Sequence, residues 1–424
     1  MIRFLLKGLL RDRSRSLIPT IIVAVGVFLT VFLYSWLSGA IEMLVHDTAV
    51  FSSGHVKIMT RAYYKEIDQI PNDLALTGAA AILENARREY PSMTWTARIR
   101  FGGLLDVPDA AGETRVQGPV AGMGVDLFSP GSPEPRILKL QKSIARGRMP
   151  AKPGEILVSE AFAARLGLNP GDTATLIGST MNGGMATANF IVAGTVRFGI
   201  TALDHGAMIA DIGDVRQALD MADAAGEILG FFGDLVYRRK AAEQVATRFN
   251  AAYAGTGDQY SPEMVEFRES SGLASYLDLA EYFSSILVII FVGAMSIVLW
   301  NAGLMGSLRR YGEIGVRLAV GEDKGHIYRS MLAESIMVGI AGSVAGTALG
   351  LALSYYLQAR GINIGSWTQN ASILIQETVR ARVTSTSYYL GFIPGFCATL
   401  LGTSLSGIGI YKRQTSELAK EMES

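Results

Sequence analysis

Four stretches of this 424-residue chain, 16–41, 282–308, 335–359 and 383–411, contain no Asp, Glu, Lys or Arg. Each is 25 residues or longer and mainly apolar, and about 20 such residues cross the hydrocarbon core of a bilayer as a helix. One such run would suit a buried helix of a soluble protein; four together point to a membrane protein with four transmembrane α-helices. A fifth uncharged run, 173–196, is half Gly, Ser, Thr and Asn and is not counted as a span. Tyr34, Trp36, Tyr282 and Tyr411 lie near span ends, where amphipathic rings suit the interface. The first run follows a basic lead-in and reaches a tolerable cleavage site at Ser38-Gly39-Ala40. Its apolar core exceeds the roughly 7–15 residues of a signal peptide, so it reads as a retained anchor.

The charges that the spans lack are placed asymmetrically. Arg3, Lys7, Arg11, Arg13 and Arg15 precede the first span, and Arg309, Arg310, Arg317, Lys324 and Arg329 lie around the second connection. Lys412, Arg413 and Lys420 follow the fourth. The loop 360–382 holds only Arg360, Arg380 and Arg382. Basic flanks stay on the cytoplasmic side, so both termini and the 309–329 loop are expected in the cytoplasm. The expected order is a basic lead-in 1–15, span 16–41, an extracytoplasmic domain 42–281 and span 282–308. A cytoplasmic loop 309–329, span 330–359, external loop 360–382, span 383–411 and cytoplasmic tail 412–424 follow.

The 240-residue outer segment carries 22 basic and 29 acidic residues, enough chain for its own core. Over the whole chain the formal charge is zero and charged residues are 18%, which excludes a largely disordered chain and a strongly basic nucleic-acid binder. No nucleic-acid partner is expected. The outer segment reads as mixed α/β, a large domain inserted between helices 1 and 2. Strands are expected at 155–158, 173–177, 189–196 and 207–210, from apolar and β-branched runs. Helices are expected after the N-cap residue Ser159 and at 79–90, 214–221 and 241–253. Residues 169–172, Asn-Pro-Gly-Asp, form a turn. Residues 106–153, rich in Gly and Pro, predict loops or short strands. The 178–184 cluster reads as a hairpin connection rather than a functional flexible loop, and Phe231 and Phe232 as core rather than an apolar ligand contact.

Chemistry is sparse. There is no phosphate-binding Gly-rich loop, no G-x-S-x-G, no H-E-x-x-H and no C-x-x-C. His46, His55, His205 and His326 are scattered, and Cys397 is the single cysteine. No catalytic residue, metal site or cofactor is expected, although sequence does not exclude a site assembled from distant carboxylates. In the spans, Gly342, Gly346 and Gly350 repeat every four residues, as do Gly391 and Gly395. That spacing puts each set on one helix face, where backbones approach closely. Pro394 predicts a kink in the fourth span. Glu334, just beyond Arg329, is a membrane carboxylate at shallow depth, expected to snorkel or to pair with a basic neighbour.

The 309–321 segment reads Arg-Arg-Tyr-Gly-Glu-Ile-Gly-Val-Arg-Leu-Ala-Val-Gly. Tyr311, Ile314 and Leu318 share one helical face; Arg310, Glu313 and Arg317 share another, at pairing distance. An interfacial helix with basic anchors and a docking element for a cytoplasmic partner fit this pattern equally. Here the chain resembles the coupling region of the FtsX/LolC-LolE/MacB superfamily of ABC-transporter permeases, roughly R-x-x-E-I-G-[ILV]-[LR]-x-[AL]-[IV]-G with a glutamate near the next span. Arg310, Glu313, Ile314, Gly315, Val316, Arg317, Ala319, Val320 and Gly321 match it, and Glu334 matches the glutamate. Gly147-Arg148, Glu155-Ile156-Leu157-Val158, Leu166-Gly167-Leu168 and Gly171-Asp172 are similar to an ordered run in the family's periplasmic core. The tail 415–418 lacks the family's frequent Pro, and no fused ATPase is present.

The resemblance implies a permease subunit, not itself an enzyme, in the cytoplasmic (inner) membrane. It implies a separate cytoplasmic ABC ATPase dimer and a second permease copy, identical or paralogous. Arg309, Arg310, Glu313, Ile314, Gly315, Arg317, Leu318 and Gly321 would then couple ATPase closure to change in the outer domain, that is, mechanotransmission. Lipoprotein or lipid release or export fits, with a lipoprotein, lipid or adaptor as a further partner. Tripartite peptide or drug efflux, and a scaffold that regulates a wall hydrolase or senses an external ligand, are the alternatives.

Overall fold

The computed structural model describes residues 13–109, 111–253, 258–309, 316–318, 320–364 and 378–412. They fall into two units, one of Met1–Ile41, Tyr276–Ile362 and Val379–Ser424, the other of Glu42–Ser275 and Asn363–Thr378. The first described element, α1 (Arg13–Thr48), is a 36-residue helix. A π-helical turn, Ala49–Ser53, carries it on to Gly54, well beyond 41, because the next residue that cannot continue a helix is Gly54.

The unit of Glu42–Ser275 and Asn363–Thr378, called the outer unit after its expected side of the membrane, is built on strands. β1 (Val56–Thr60), β2 (Leu76–Thr77) and α2 (Ala79–Glu89) lead into two long strands, β3 (Met93–Pro108) and β4 (Thr114–Val125). After α3 (Glu134–Ile137) come β5 (Ile144–Gly147), β6 (Glu155–Ser159), α4 (Glu160–Leu166), β7 (Thr173–Ser179) and β8 (Met185–Val196). Then follow β9 (Ala207–Asp211), α5 (Ile212–Ala218), β10 (Ala224–Ala225) and β11 (Glu227–Phe232). α6 (Arg239–Ala252), β12 (Pro262–Glu266) and α7 (Phe267–Ser270) close the unit.

The main sheet runs β12-β1-β11-β3-β4-β9-β6-β8-β5, with β7 bridging β3 and β8. The β4–β9 and β6–β8 pairs are parallel; the others are antiparallel. β6 shows why its sequence is apolar without alternation. Successive side chains point to opposite faces; Ile156 and Val158 join the core with Trp95 and Phe162, while Leu157 joins the one with Val50 and Phe231. Both faces of the strand are buried, so its three central residues are all apolar, and the polar Glu155 and Ser159 at its ends are buried as well.

Part of 106–153 departs from the expectation of loops or short strands, since β4 is 12 residues long. Its glycines are there for packing. A Cβ at Gly124 would lie 2.9 Å from Val215, and one at Gly122 would strike the Phe101 ring. Bare backbone admits the side chains of β3 and α5, so low β-propensity is overridden by tertiary contact.

In the other unit α8 (Ala274–Arg309), α9 (Lys324–Arg360), α10 (Ser385–Leu390) and α11 (Phe392–Lys412) follow. Among the described residues three helices are long and apolar enough to cross a membrane: Leu17–Ser53, Lys324–Arg360 and Ser385–Leu405. In α8 the described apolar segment is the shorter Ile286–Asn301. α9 starts inside the expected 309–329 loop because Asp323 caps it, its Oδ2 accepting from Gly325 N at 2.9 Å. The break between α10 and α11 falls at Gly391 rather than at Pro394. Pro394 has no N–H to give the Leu390 carbonyl, so the interruption lies one turn upstream.

Candidate functional site

The described end of the 309–321 segment is a helix terminus with a specific stop. Val316–Leu318 is helical. Gly321 N donates to Leu318 O at 3.0 Å, and Glu322 N donates to Arg317 O at 3.0 Å. These are the two bonds of a Schellman motif, with Gly321 at the position that needs a left-handed backbone; its φ is +97°. The reversal folds Glu322 back onto Arg317. Their side chains pair at 2.6 and 2.9 Å, so Arg317 is matched from Glu322, an ion pair that helical spacing alone does not suggest. Leu318 packs on the buried Ile327 of α9. Arg309 closes α8. Arg310, Glu313, Ile314 and Gly315 lie outside the described residues, as does Ala319.

The glycine repeats meet definite partners. On α9, a Cβ at Gly342 would lie 2.7 Å from Val23 Cβ, and one at Gly350 would lie 2.9 Å from Val31 Cβ. Between them, a Cβ at Gly346 would lie 2.8 Å from Val27 Cβ and collide with the Ala24 carbonyl. Glycines four apart thus receive valines four apart on α1. Gly391 and Gly395 face the other flank of α9. The Thr347 hydroxyl would be 2.6 Å from a Cβ at Gly391, and the Ser343 hydroxyl occupies the equivalent space at Gly395. Val27 adjoins Gly346, Gly391 and Gly395 alike, so α1, α9 and α11 share one seam. Glu334 is half-buried on α9.

In the outer unit the family-like motif residues have structural partners. Arg148 holds Glu155 through two bonds of 2.7 and 2.6 Å, and Ala151 N adds a third at 2.8 Å. These donors push the Glu155 carboxyl down to about 2. The 178–184 cluster is the β7–β8 connection, and Phe231 is fully buried. No group of three or more His, Cys, Asp or Glu suited to a metal is present among the described residues.

Sequence reasoning missed a buried polar junction where the π turn meets the sheet. His55 is 1% exposed. Its Nδ1 accepts from Phe232 N at 2.9 Å, its own N–H donates to Gly230 O at 2.9 Å, and its carbonyl accepts from Phe267 N at 3.1 Å. The ring lies against Phe231, Phe232 and Tyr237. Burial pushes its pKa down to about 4, aided by His46 and Arg238 and opposed by Asp234 and the Leu235 backbone. Gly54, just before it, has φ +63° and ψ −172°, and a Cβ there would lie 2.8 Å from Val56 O. That combination of dihedrals is essentially confined to glycine.

Beside His55, a row of charges crosses β1, β11 and β3. Lys57 Nζ and Arg100 Nε each lie 3.1 Å from Glu227 Oε1. Arg98 Nε and Nη2 grip Glu134 at 2.7 and 2.9 Å, and Arg98 Nη1 donates to Val50 O at 2.6 Å. Lys57, Arg98, Glu134 and Glu227 are all buried. Burial lowers the Lys57 pKa, with Glu227 opposing. The signal available in the sequence was one or more charges set in an apolar strand, such as Lys57 in Val-Lys-Ile-Met or Arg98 and Arg100 in β3; alone it does not say whether a charge points to water.

Residues 285–415 match the FtsX-like permease C-terminal family. Lipoprotein-releasing system transmembrane protein LolC from two strains of Xylella fastidiosa, 9a5c and Temecula1, is 24% identical over 235 residues, 53% of this chain and 54% of the relative. The chain therefore spans about half the length of the curated relatives it matches. The crystal structure of the periplasmic region of MacB from Actinobacillus actinomycetemcomitans aligns with TM-score 0.36 and 12% identity, over 54% of this chain and 94% of that one. The family match takes in the Arg309–Gly321 segment, and over about half of its length the chain is similar to the LolC proteins.

Proposed function

We propose that the chain is the transmembrane subunit of an ABC transporter in a bacterial cytoplasmic membrane. A separate ATPase dimer docks on the 309–321 segment, and its closure reshapes the 42–281 domain on the outer side. Two permease copies act together, and the cargo is a lipoprotein or lipid released or exported from the membrane. The observation that carries this reading is the FtsX-like match over 285–415, which contains that segment. The LolC relatives favour lipoprotein release over efflux. In this reading the Schellman stop at Gly321 fixes the angle between the docking segment and α9, so thrust on the segment reaches the seam with α1.

The test is affinity purification of the tagged protein in mild detergent with mass spectrometry of what stays bound. An ATPase recovered in comparable amount supports the reading; a wall enzyme without an ATPase, or no partner, refutes it. In the recovered complex Glu313→Lys, or a bulky residue at Gly315, should uncouple ATP hydrolysis from function while insertion persists. Wild-type function in both variants would remove the coupling role from this segment.

A further inference from the structure

We propose that Arg98 is the positioning residue that couples the carbonyl end of α1 to the outer sheet. The inference rests on the ATP-driven reading above and adds the place where movement enters the sheet. α1 ends through the π turn, in which Gly54 N donates to Ala49 O at 2.8 Å. The same pattern would send His55 N to Val50 O. His55 N is instead committed to Gly230 O in the sheet, which leaves the Val50 carbonyl to be satisfied from elsewhere. Arg98 Nη1 supplies that bond at 2.6 Å.

The donor is unusual in kind and origin. Helix ends are commonly capped by glycine motifs, water or exposed basic residues. Here the cap is a guanidinium 1% exposed, projecting from β3, which lies between β11 and β4 in the sheet. Its remaining donors fork onto Glu134, itself fully buried, so the planar group is fixed in direction. The positive charge also faces the negative end of the helix dipole. Away from water such a charged bond is strong and short-ranged. A displacement of Val50 O must therefore carry Arg98 with it or leave a buried carbonyl and a buried donor unpaired. Glu134 holds the arginine; the Val50 bond transmits.

The experiment uses the full-length permease with its co-purified ATPase in lipid nanodiscs. Hydrogen exchange by mass spectrometry is followed in peptides covering 49–60 and 93–101, with and without ATP and vanadate. In the wild type, nucleotide should change exchange in both peptides. If neither responds, the ATP-driven reading itself fails. In Arg98→Met the response of 49–60 should persist, while that of 93–101 falls about tenfold, the scale of a typical coupling free energy. Glu134→Gln should lower Tm yet keep most of the 93–101 response, because the Val50 bond survives. Should Arg98→Met not fold, Arg98→Lys decides. Its single ammonium cannot fork onto Glu134 and reach Val50 together, so the 93–101 response should fall with the ion pair retained. A full 93–101 response in the folded arginine variant overturns the inference, and so does a loss in Glu134→Gln as complete as in the arginine variant.

Discussion

Acidification should loosen the outer unit through His55. The ring is neutral when folded, with Nδ1 accepting from Phe232 N. Protonation puts a hydrogen on that nitrogen and sets two donors against each other inside the core. The folded pKa of about 4 lies below the ordinary 6.5, so the unfolded chain binds the proton more readily. Stability from this group is fully present above pH 6.5 and is lost as pH falls towards 4. The two pKa values correspond to about 3 kcal/mol in all, of which about 2 kcal/mol disappears between pH 7 and pH 5. For a unit of this size, that is a Tm drop of about 4–8 °C. Trp95, 1% exposed in the outer core, can report it once Trp36, Trp300 and Trp367 are replaced by Phe in the full chain. His55→Asn retains an acceptor for Phe232 N but does not titrate, so its Tm should fall by several degrees less over the same pH interval. Equal falls in the two proteins would show that His55 is not the proton acceptor and refute the argument.

Three other outcomes follow from the packing. Gly346→Val should weaken the α1–α9 seam by about 1–3 kcal/mol, the usual cost of overpacking. Gly293→Ala, whose Cβ would meet nothing within 4 Å, should leave thermal stability in detergent unchanged; similar losses in both would mean the seam is not close-packed. Glu227→Gln strands Lys57 and Arg100 together and should cost about 3–5 kcal/mol. Lys57→Met leaves Glu227 its Arg100 partner and should cost less, so the reverse ranking in denaturant unfolding would contradict the charge row. Gly321→Ala places a Cβ in a left-handed turn at about 1 kcal/mol; the Gly321 and Glu322 amides should exchange about fivefold faster, and unchanged exchange would argue against the Schellman stop.

The clearest sequence signals were local. Strands at 155–158, 173–177 and 207–210 correspond to β6, β7 and β9, because apolar runs between turn residues leave the backbone few alternatives. β4 was hidden, since Gly118, Pro119, Gly122 and Gly124 read as a loop until Phe101, Phe162 and Val215 are seen against them. The Gly342, Gly346 and Gly350 spacing indicated a packing face without naming the partner. Nothing in the spacing distinguishes Val23, Val27 and Val31 from any other apolar stripe.

The sequence by itself determined the chain's solvent: long runs without charge cannot be exposed to water at acceptable cost. It also holds one helix stop and one helix start, since Gly321 and Asp323 act through bonds to residues a few positions away. Only the tertiary structure decided which charges are buried. Lys57, Arg98 and Glu227 lie far apart along the chain and become neighbours when β1, β11 and β3 pair, and α3 brings Glu134 to Arg98. An isolated charge in an apolar strand is ambiguous, because its energy depends on whether an opposite charge or a free carbonyl waits across the sheet. For Arg98 both do, Glu134 on one side of the guanidinium and the end of α1 on the other.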